Sequence, residues 1–187
     1  MDNIVSLYTS TEGRISRKTF WLGILGIIVV NLLLSFLILP LVGVSMMPNM
    51  AALTDPAGDP AAVSKMISDS IRGSAWASLV LFVIFAYPIY AISLKRRHDK
   101  DNNGMDVLVY MGLTAVLMLV QALGIGYDTM TVGQFAFPAP SMILSILSFI
   151  VGIYALYLLV VLGFLKGTAG PNQYGPDPLA GAAAAAA

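Results

Sequence analysis

The sequence predicts an all-α integral membrane protein: a four-transmembrane-helix bundle with both ends on the cytoplasmic side (N-in/C-in) and a short amphipathic helix in the first extracellular loop. Three observations carry the prediction. Of 187 residues, 58% are hydrophobic and only 11% charged, against roughly 25% charged in a soluble domain, and mean hydropathy is +0.83. A soluble domain of this length cannot enclose so much apolar surface, because its surface grows nearly as fast as its volume. Four segments (20–44, 75–94, 105–125 and 142–165) are apolar over the length of about 20 residues that a helix needs to cross a hydrocarbon core of about 30 Å. None has a charge near its centre, and Asp106 lies at the very start of the third, at headgroup depth. Finally, Arg14, Arg17 and Lys18 precede the first segment, Lys95, Arg96, Arg97 and Lys100 separate the second from the third, and Lys166 follows the fourth. The alternate loops hold only Lys65 and Arg72. Basic residues mark the cytoplasmic face, and an even number of spans returns the chain to it.

Taken in order, the run from Phe20 to Val44 is longer than the roughly 7–15 apolar residues of a signal peptide and has no small-x-small cleavage pattern, so it reads as a retained span. Ser16 is its expected N-cap. Arg17 and Lys18 in the opening turn oppose the helix dipole, which points their charge toward an anionic membrane surface. Asp59 and Pro60 read as N-cap and first residue of a helix, with Val63, Met66, Ile67 and Ile71 recurring at helical spacing. A short amphipathic helix on the outer leaflet, leading into the second span, follows from that pattern. Pro40 and Pro88 each free a carbonyl one turn earlier, with Ser35 and Tyr87 as nearby polar side chains. The stretch Phe135–Pro140 reads as an interfacial turn. The fourth span carries Ser141, Ser145, Ser148, Gly152 and Ala155 on one face, the pattern that close helix packing in lipid requires; packing within one chain is preferred over a subunit interface. Residues 1–178 form a single membrane domain, followed by a low-complexity, Ala-rich tail at 179–187.

Several chemistries drop out. Net charge is zero, which gives nucleic acid no electrostatic hold. There is no cysteine, hence no disulfide, thiol nucleophile or thiolate metal site, and His98 is the sole imidazole. No phosphate-binding glycine loop is present. His98 beside Asp99 lacks a nucleophile at a defined spacing. Asp99-Lys-Asp101-Asn-Asn103-Gly104 matches the start of a calcium loop, but its twelfth position is Tyr110 where a bidentate carboxylate is needed, so a tight Asx/Gly turn explains it. The chain is therefore expected to be no enzyme, with no catalytic residue, metal or cofactor. The spans lack a central charge, which argues against ion-coupled transport.

The polar residues fall in three clusters: Gly13-Arg14-Ile15-Ser16-Arg17, Lys95-Arg96-Arg97-His98-Asp99 and Asn172-Gln173-Tyr174-Gly175-Pro176-Asp177. Each adjoins a helix end on the same side. Together they resemble the signatures of the DUF805 family of small bacterial inner-membrane proteins. Residues Gly13 to Trp21 resemble its opening motif, Arg96-Arg97-His98-Asp99 with Asn103-Gly104 its central loop, and Gly167 to Pro178 its long C-terminal motif. The family usually inserts a residue between the arginines and the histidine, and has aromatics where Met105 and Asp106 stand here. The resemblance implies a multi-pass helical protein of the bacterial inner membrane and supplies no reaction.

The expected function is that of a non-enzymatic accessory or scaffold protein, its basic face holding anionic phospholipid headgroups or a larger membrane complex. Arg14, Arg17, Arg96 and Arg97 supply the charge, planar and bidentate toward phosphate. His98 and Asp99 stand between them, and Asn172, Tyr174 and Asp177 fold the tail over the helix ends. The alternative is a small homo-oligomeric transporter or channel using Tyr87, Tyr154 and the serines of the fourth span.

Overall fold

The computed structural model describes residues 4–41 and 59–180. Helix α1 covers Ile4–Thr9. Helix α2 covers Arg17–Leu33 and continues through a π turn at Leu34–Ile38 and a last turn at Leu39–Leu41. Helix α3 is a single rod, Pro60–His98, and α4 spans Met105–Ala122. Strands β1 (Tyr127–Val132) and β2 (Phe135–Pro140) form an antiparallel hairpin. Helix α5 covers Met142–Leu159 and ends in a π turn at Val160–Phe164. Among the described residues four helices are long and apolar enough to cross a membrane. Residues 42–44 of the first expected span, and the alanine run at 182–187, lie outside the described residues.

The burial pattern is inverted relative to a soluble domain. Only 11–33% of the most apolar stretch of each of these helices is buried, while Lys95, Arg96, Arg97, His98 and Asp99 are all buried. Large apolar side chains such as Leu22, Leu25, Val83 and Phe149 face outward. Water would make that surface prohibitively costly, so lipid is its solvent and the chain is a multi-pass membrane protein.

Three elements differ from expectation. The amphipathic stretch after Pro60 is no separate helix but runs unbroken into the second span, giving a 39-residue helix. At 1.5 Å per residue its length is about 58 Å, nearly twice a hydrocarbon core, so its ends lie beyond the apolar stretch 75–94. Nothing interrupts it before that stretch: Asp59 Oδ1 accepts the Ala61 N–H at 3.0 Å to start it, and Lys65 pairs with Asp69 at 2.6 Å one turn on. The second difference is the hairpin, in place of a simple turn. Tyr127-Asp-Thr-Met-Thr-Val132 alternates β-formers, and a Gly133-Gln134 turn with Gly133 at φ 62° closes it. Pro138 and Pro140 sit opposite Thr129 and Tyr127, two residues apart, so both missing N–H groups point away from β1. Ala136 has the same orientation, and its N–H donates instead to Ser64 Oγ at 3.0 Å. The third difference is α1, which the sequence pattern does not announce.

The chain folds as two compact units. One consists of Met1–Val30, Val83–Gly112 and Gly152–Ala187, the other of Asn31–Phe82 and Leu113–Val151. The second unit holds the hairpin, the amphipathic start of α3 and buried Ser35, Val63, Ala77, Leu81 and Leu144. The first packs Phe20, Ile27, Ala91, Ile92, Val107, Leu158 and Val161 inward. Gly23 is required there, since a Cβ would stand 2.9 Å from Ile92 Cδ1. Of the small-residue stripe, Ser141 just before α5 and Ser148 and Ala155 on it are half-buried, whereas Ser145 and Gly152 face outward with open space beyond Gly152.

Candidate functional site

The first unit brings together the end of α5, the start of α2, the end of α3 and the tail. A helix leaves its last carbonyls without intrahelical donors. At the end of α5 four successive carbonyls find side chains from other helices. Leu162 O accepts from Arg96 Nε at 2.8 Å, Gly163 O from Trp21 Nε1 at 3.1 Å, Phe164 O from Arg17 Nη1 at 3.1 Å and Leu165 O from Arg96 Nη2 at 2.5 Å. Arg17, unfavourable at the start of its own helix, thus reaches the negative end of its neighbour. Gly163 allows the approach, for a Cβ would stand 2.6 Å from the Trp21 ring.

Asp99 is the hub. It follows the last turn of α3, whose cations Lys95, Arg96 and Arg97 suit a helix C-terminus. Its Oδ1 accepts from Arg14 Nε at 3.2 Å and Nη2 at 3.0 Å, and its Oδ2 accepts from Arg96 Nη1. Arg14 has donors left, and Nη1 reaches Gly170 O at 2.7 Å while Nη2 reaches Thr168 O at 2.8 Å. Backbone joins in, with Thr168 N donating to Asp99 O at 2.8 Å. Gly167 lies so close that a Cβ would overlap the Asp99 carboxylate. Two guanidiniums around one carboxylate leave excess positive charge, which the carbonyls of the tail and of α5 offset.

The tail closes over this hub as a small clasp. Asn172 and Gly175 exchange backbone hydrogen bonds at 3.0 Å, and Asn172 Nδ2 donates to His98 O at 2.8 Å. The Tyr174 ring stacks on His98 with centroids 3.8 Å apart and planes 4° from parallel. His98 Nδ1 donates to Gly13 O at 3.2 Å, which fixes the neutral tautomer. Burial pushes the His98 pKa down, and the Gly13 hydrogen bond only partly opposes this. Asp177 Oδ2 accepts from Gly170 N at 3.0 Å and Oδ1 from Leu179 N at 2.9 Å, and these bonds, Leu179 first, hold its carboxyl below the usual range.

A second pair flanks the hub. Arg97 Nη2 stands 2.9 Å from Asp106 Oδ2 at the start of α4, off the line of a hydrogen bond, so the contact is Coulombic. The intervening turn matches the Asx/Gly reading: Asn102 Oδ1 accepts from Gly104 N and Asn103 Oδ1 from Met105 N, with Gly104 at φ 69°.

The three sequence clusters therefore meet, with a consequence for the arginines. Arg14 and Arg96 are buried with their N–H groups committed to protein acceptors, and Arg97, His98 and Asp99 are buried as well. Direct headgroup contact from Arg14 or Arg96, expected from the sequence, would require uncovering a satisfied buried charge. Of the cations in the segments around the hub, those facing outward are Arg17, Lys18 and Lys166, with Lys100 half-exposed. Asn172, Tyr174 and Asp177 are half-buried and fasten the tail. Tyr87 and Tyr154 donate to Thr9 O and Asp106 O, both at 2.8 Å.

Sequence reasoning missed Trp21 and the α1 contacts. Lys95 Nζ donates to Ser6 O at 2.7 Å and Leu7 O at 2.8 Å, and Tyr8 Oη to Gly23 O at 3.2 Å. The available signal was Gly23 and Gly26, three residues apart on α2, which leave a groove for Leu7 and Tyr8. Among the described residues no group of acidic or His side chains could hold a metal ion.

No curated protein and no solved structure matches the chain. The family model described as "Protein of unknown function (DUF805)" matches residues 8–176, a stretch that takes in the hub, the clasp as far as Pro176 and every helix from α2 to α5. The chain belongs to the DUF805 family.

Proposed function

We propose that the protein is a non-enzymatic accessory or scaffold protein of the bacterial inner (cytoplasmic) membrane. Both described ends lie on the cytoplasmic side, and the basic face holds anionic phospholipid headgroups or the edge of a larger membrane complex. One observation carries the reading: eight of the ten Lys and Arg residues lie in the segments that bound the clasp, namely Arg14, Arg17, Lys18, Lys95, Arg96, Arg97, Lys100 and Lys166. Such a concentration suits the cytoplasmic leaflet, where each surface cation near anionic lipid is worth about 1 kcal/mol. Arg14, Arg96 and Arg97 build a rigid platform. Arg17, Lys18, Lys100 and Lys166 present charge from it, with Asn172, Tyr174 and Asp177 holding the tail in place.

The test is gentle extraction from the native membrane followed by mass spectrometry of the intact assembly, identifying every lipid and polypeptide retained. Retained anionic lipid or a stoichiometric partner protein supports the proposal. A bare chain or bare homo-oligomer refutes it and turns attention to solute flux.

A further inference from the structure

Beside the hub lies a cavity of about 350 Å³ lined by Ser16, Arg17, Lys166, Thr168, Asp177 and Leu179, with Arg96 and Asp99 at its floor. Its walls carry charge of both signs in an uneven state of use. Arg96 and Asp99 are paired with each other and with Arg14 or α5 carbonyls. Arg17 and Lys166 are exposed and form no ion pair among the described residues, and Arg17 spends one N–H on Phe164 O. A guanidinium has five N–H groups, so donors remain. Asp177, on the clasp, accepts one backbone N–H at each oxygen, and a carboxylate offers about four lone-pair positions, so acceptors remain too. Those same bonds keep it ionised.

We propose that this cavity is a headgroup site for a phospholipid bearing both a phosphodiester and a primary ammonium, the phosphate held by Arg17 and Lys166 and the ammonium by Asp177. A headgroup with negative charge alone would satisfy the two cations and leave Asp177 facing a like charge. A headgroup with a quaternary ammonium supplies the positive charge without an N–H to donate. A primary ammonium does both, with three donors for the free lone pairs of Asp177. The inference rests on the reading that this face lies in the headgroup layer. It adds a selective site to what is otherwise diffuse attraction of anionic lipid.

The experiment uses the intact protein, stripped of native lipid in detergent and offered equal concentrations of short-chain phosphatidylethanolamine, phosphatidylcholine and phosphatidylglycerol, with bound species counted by native mass spectrometry. Phosphatidylethanolamine is expected to be retained about tenfold over phosphatidylcholine, the size of one charge-assisted hydrogen bond, and over phosphatidylglycerol as well. In an Asp177→Asn variant that preference is expected to fall by about tenfold. Arg17→Gln/Lys166→Gln, which loses only the phosphate contacts, is expected to lower retention of both phosphatidylethanolamine and phosphatidylcholine and leave their ratio unchanged. Equal retention of phosphatidylcholine, or stronger retention of phosphatidylglycerol, overturns the site while leaving the anionic-face reading standing. A preference unchanged in Asp177→Asn, or retention unchanged in Arg17→Gln/Lys166→Gln, overturns its location. Retention of no lipid of any class overturns this site and the lipid arm of the proposed function, whose other arm is tested separately by a retained partner protein.

Discussion

Replacing Asp99 by asparagine keeps the shape of the side chain and removes the charge that two buried guanidiniums share. Arg14 gives Asp99 Oδ1 two N–H groups and Arg96 gives Oδ2 one. Arg96 is fully buried and Asp99 is only 4% exposed, so solvent cannot take over the lost role. An asparagine retains one oxygen and turns an N–H₂ toward a guanidinium, which leaves Arg14 or Arg96 with only its backbone carbonyl acceptors and no counter-charge. Removing one partner of a buried ion pair costs about 3–5 kcal/mol, most of it the uncompensated charge left behind. At about 2–4 °C per kcal/mol for a chain of this size, the melting temperature should fall by about 6–20 °C. With no cysteine for thiol dyes, the assay is tryptophan fluorescence on heating in detergent, and Trp21 is well placed because it packs on Phe164 with ring centroids 5.7 Å apart. Adding Arg14→Met to Asp99→Asn should recover part of the loss, since it removes one stranded charge. A fall below about 2 °C, or strictly additive losses in the double variant, would refute the hub.

Other substitutions separate close approach from open space. Gly167→Ala should destabilise by about 1–3 kcal/mol in the same melt, because the new Cβ overlaps Asp99, whereas Gly152→Ala, with nothing within 4 Å, should stay within about 0.5 kcal/mol. Trp21→Phe keeps the ring contact and loses the donor to Gly163 O, for an expected cost of about 1 kcal/mol by equilibrium denaturation. The clasp should also weaken in mild acid. The folded pKa of His98 is lowered, so the unfolded state binds the extra proton first, and stability falls as pH drops from about 6.5 toward the folded value. His98→Phe, which can still stack on Tyr174, should flatten the melting temperature between about pH 7 and pH 5; an unchanged slope would remove His98 as its cause. Asp177 shifts the same way at lower pH, its contribution present above the ordinary carboxylate range and lost as pH falls through its depressed folded value.

The spans are legible in the sequence because lipid imposes a length and a polarity that are hard to counterfeit. Ser16 as N-cap is likewise local chemistry, and its Oγ accepts the Thr19 N–H at 3.2 Å. That the three clusters meet is not legible in the sequence, since it rests on long-range contacts such as Arg14 with Asp99 and Asn172 with the His98 carbonyl. Whether an arginine faces out or in is not legible. Charge bias locates Arg14, Arg96 and Arg97 at a membrane boundary but says nothing about burial, which depends on the α5 carbonyls that need donors and on Gly163 and Gly167 letting them approach. Those two glycines, one inside the apolar run and one just past it, were the missed signal. The hairpin is hidden by Pro138 and Pro140, which demote a strand until both are seen to fall on its outward-facing N–H positions.

The most direct test compares two sets of surface charges in lipid retention. Arg17→Gln/Lys18→Gln/Lys166→Gln strips the outward cations beside the clasp and leaves Arg14, Arg96 and Arg97 intact, while Lys65→Gln/Arg72→Gln strips the two basic residues in the first part of α3. Both proteins are extracted gently and their anionic lipid counted per chain. The predicted result is loss in the first and retention at the wild-type level in the second. Equal retention in both, or loss only in the second, would contradict a lipid-holding basic face.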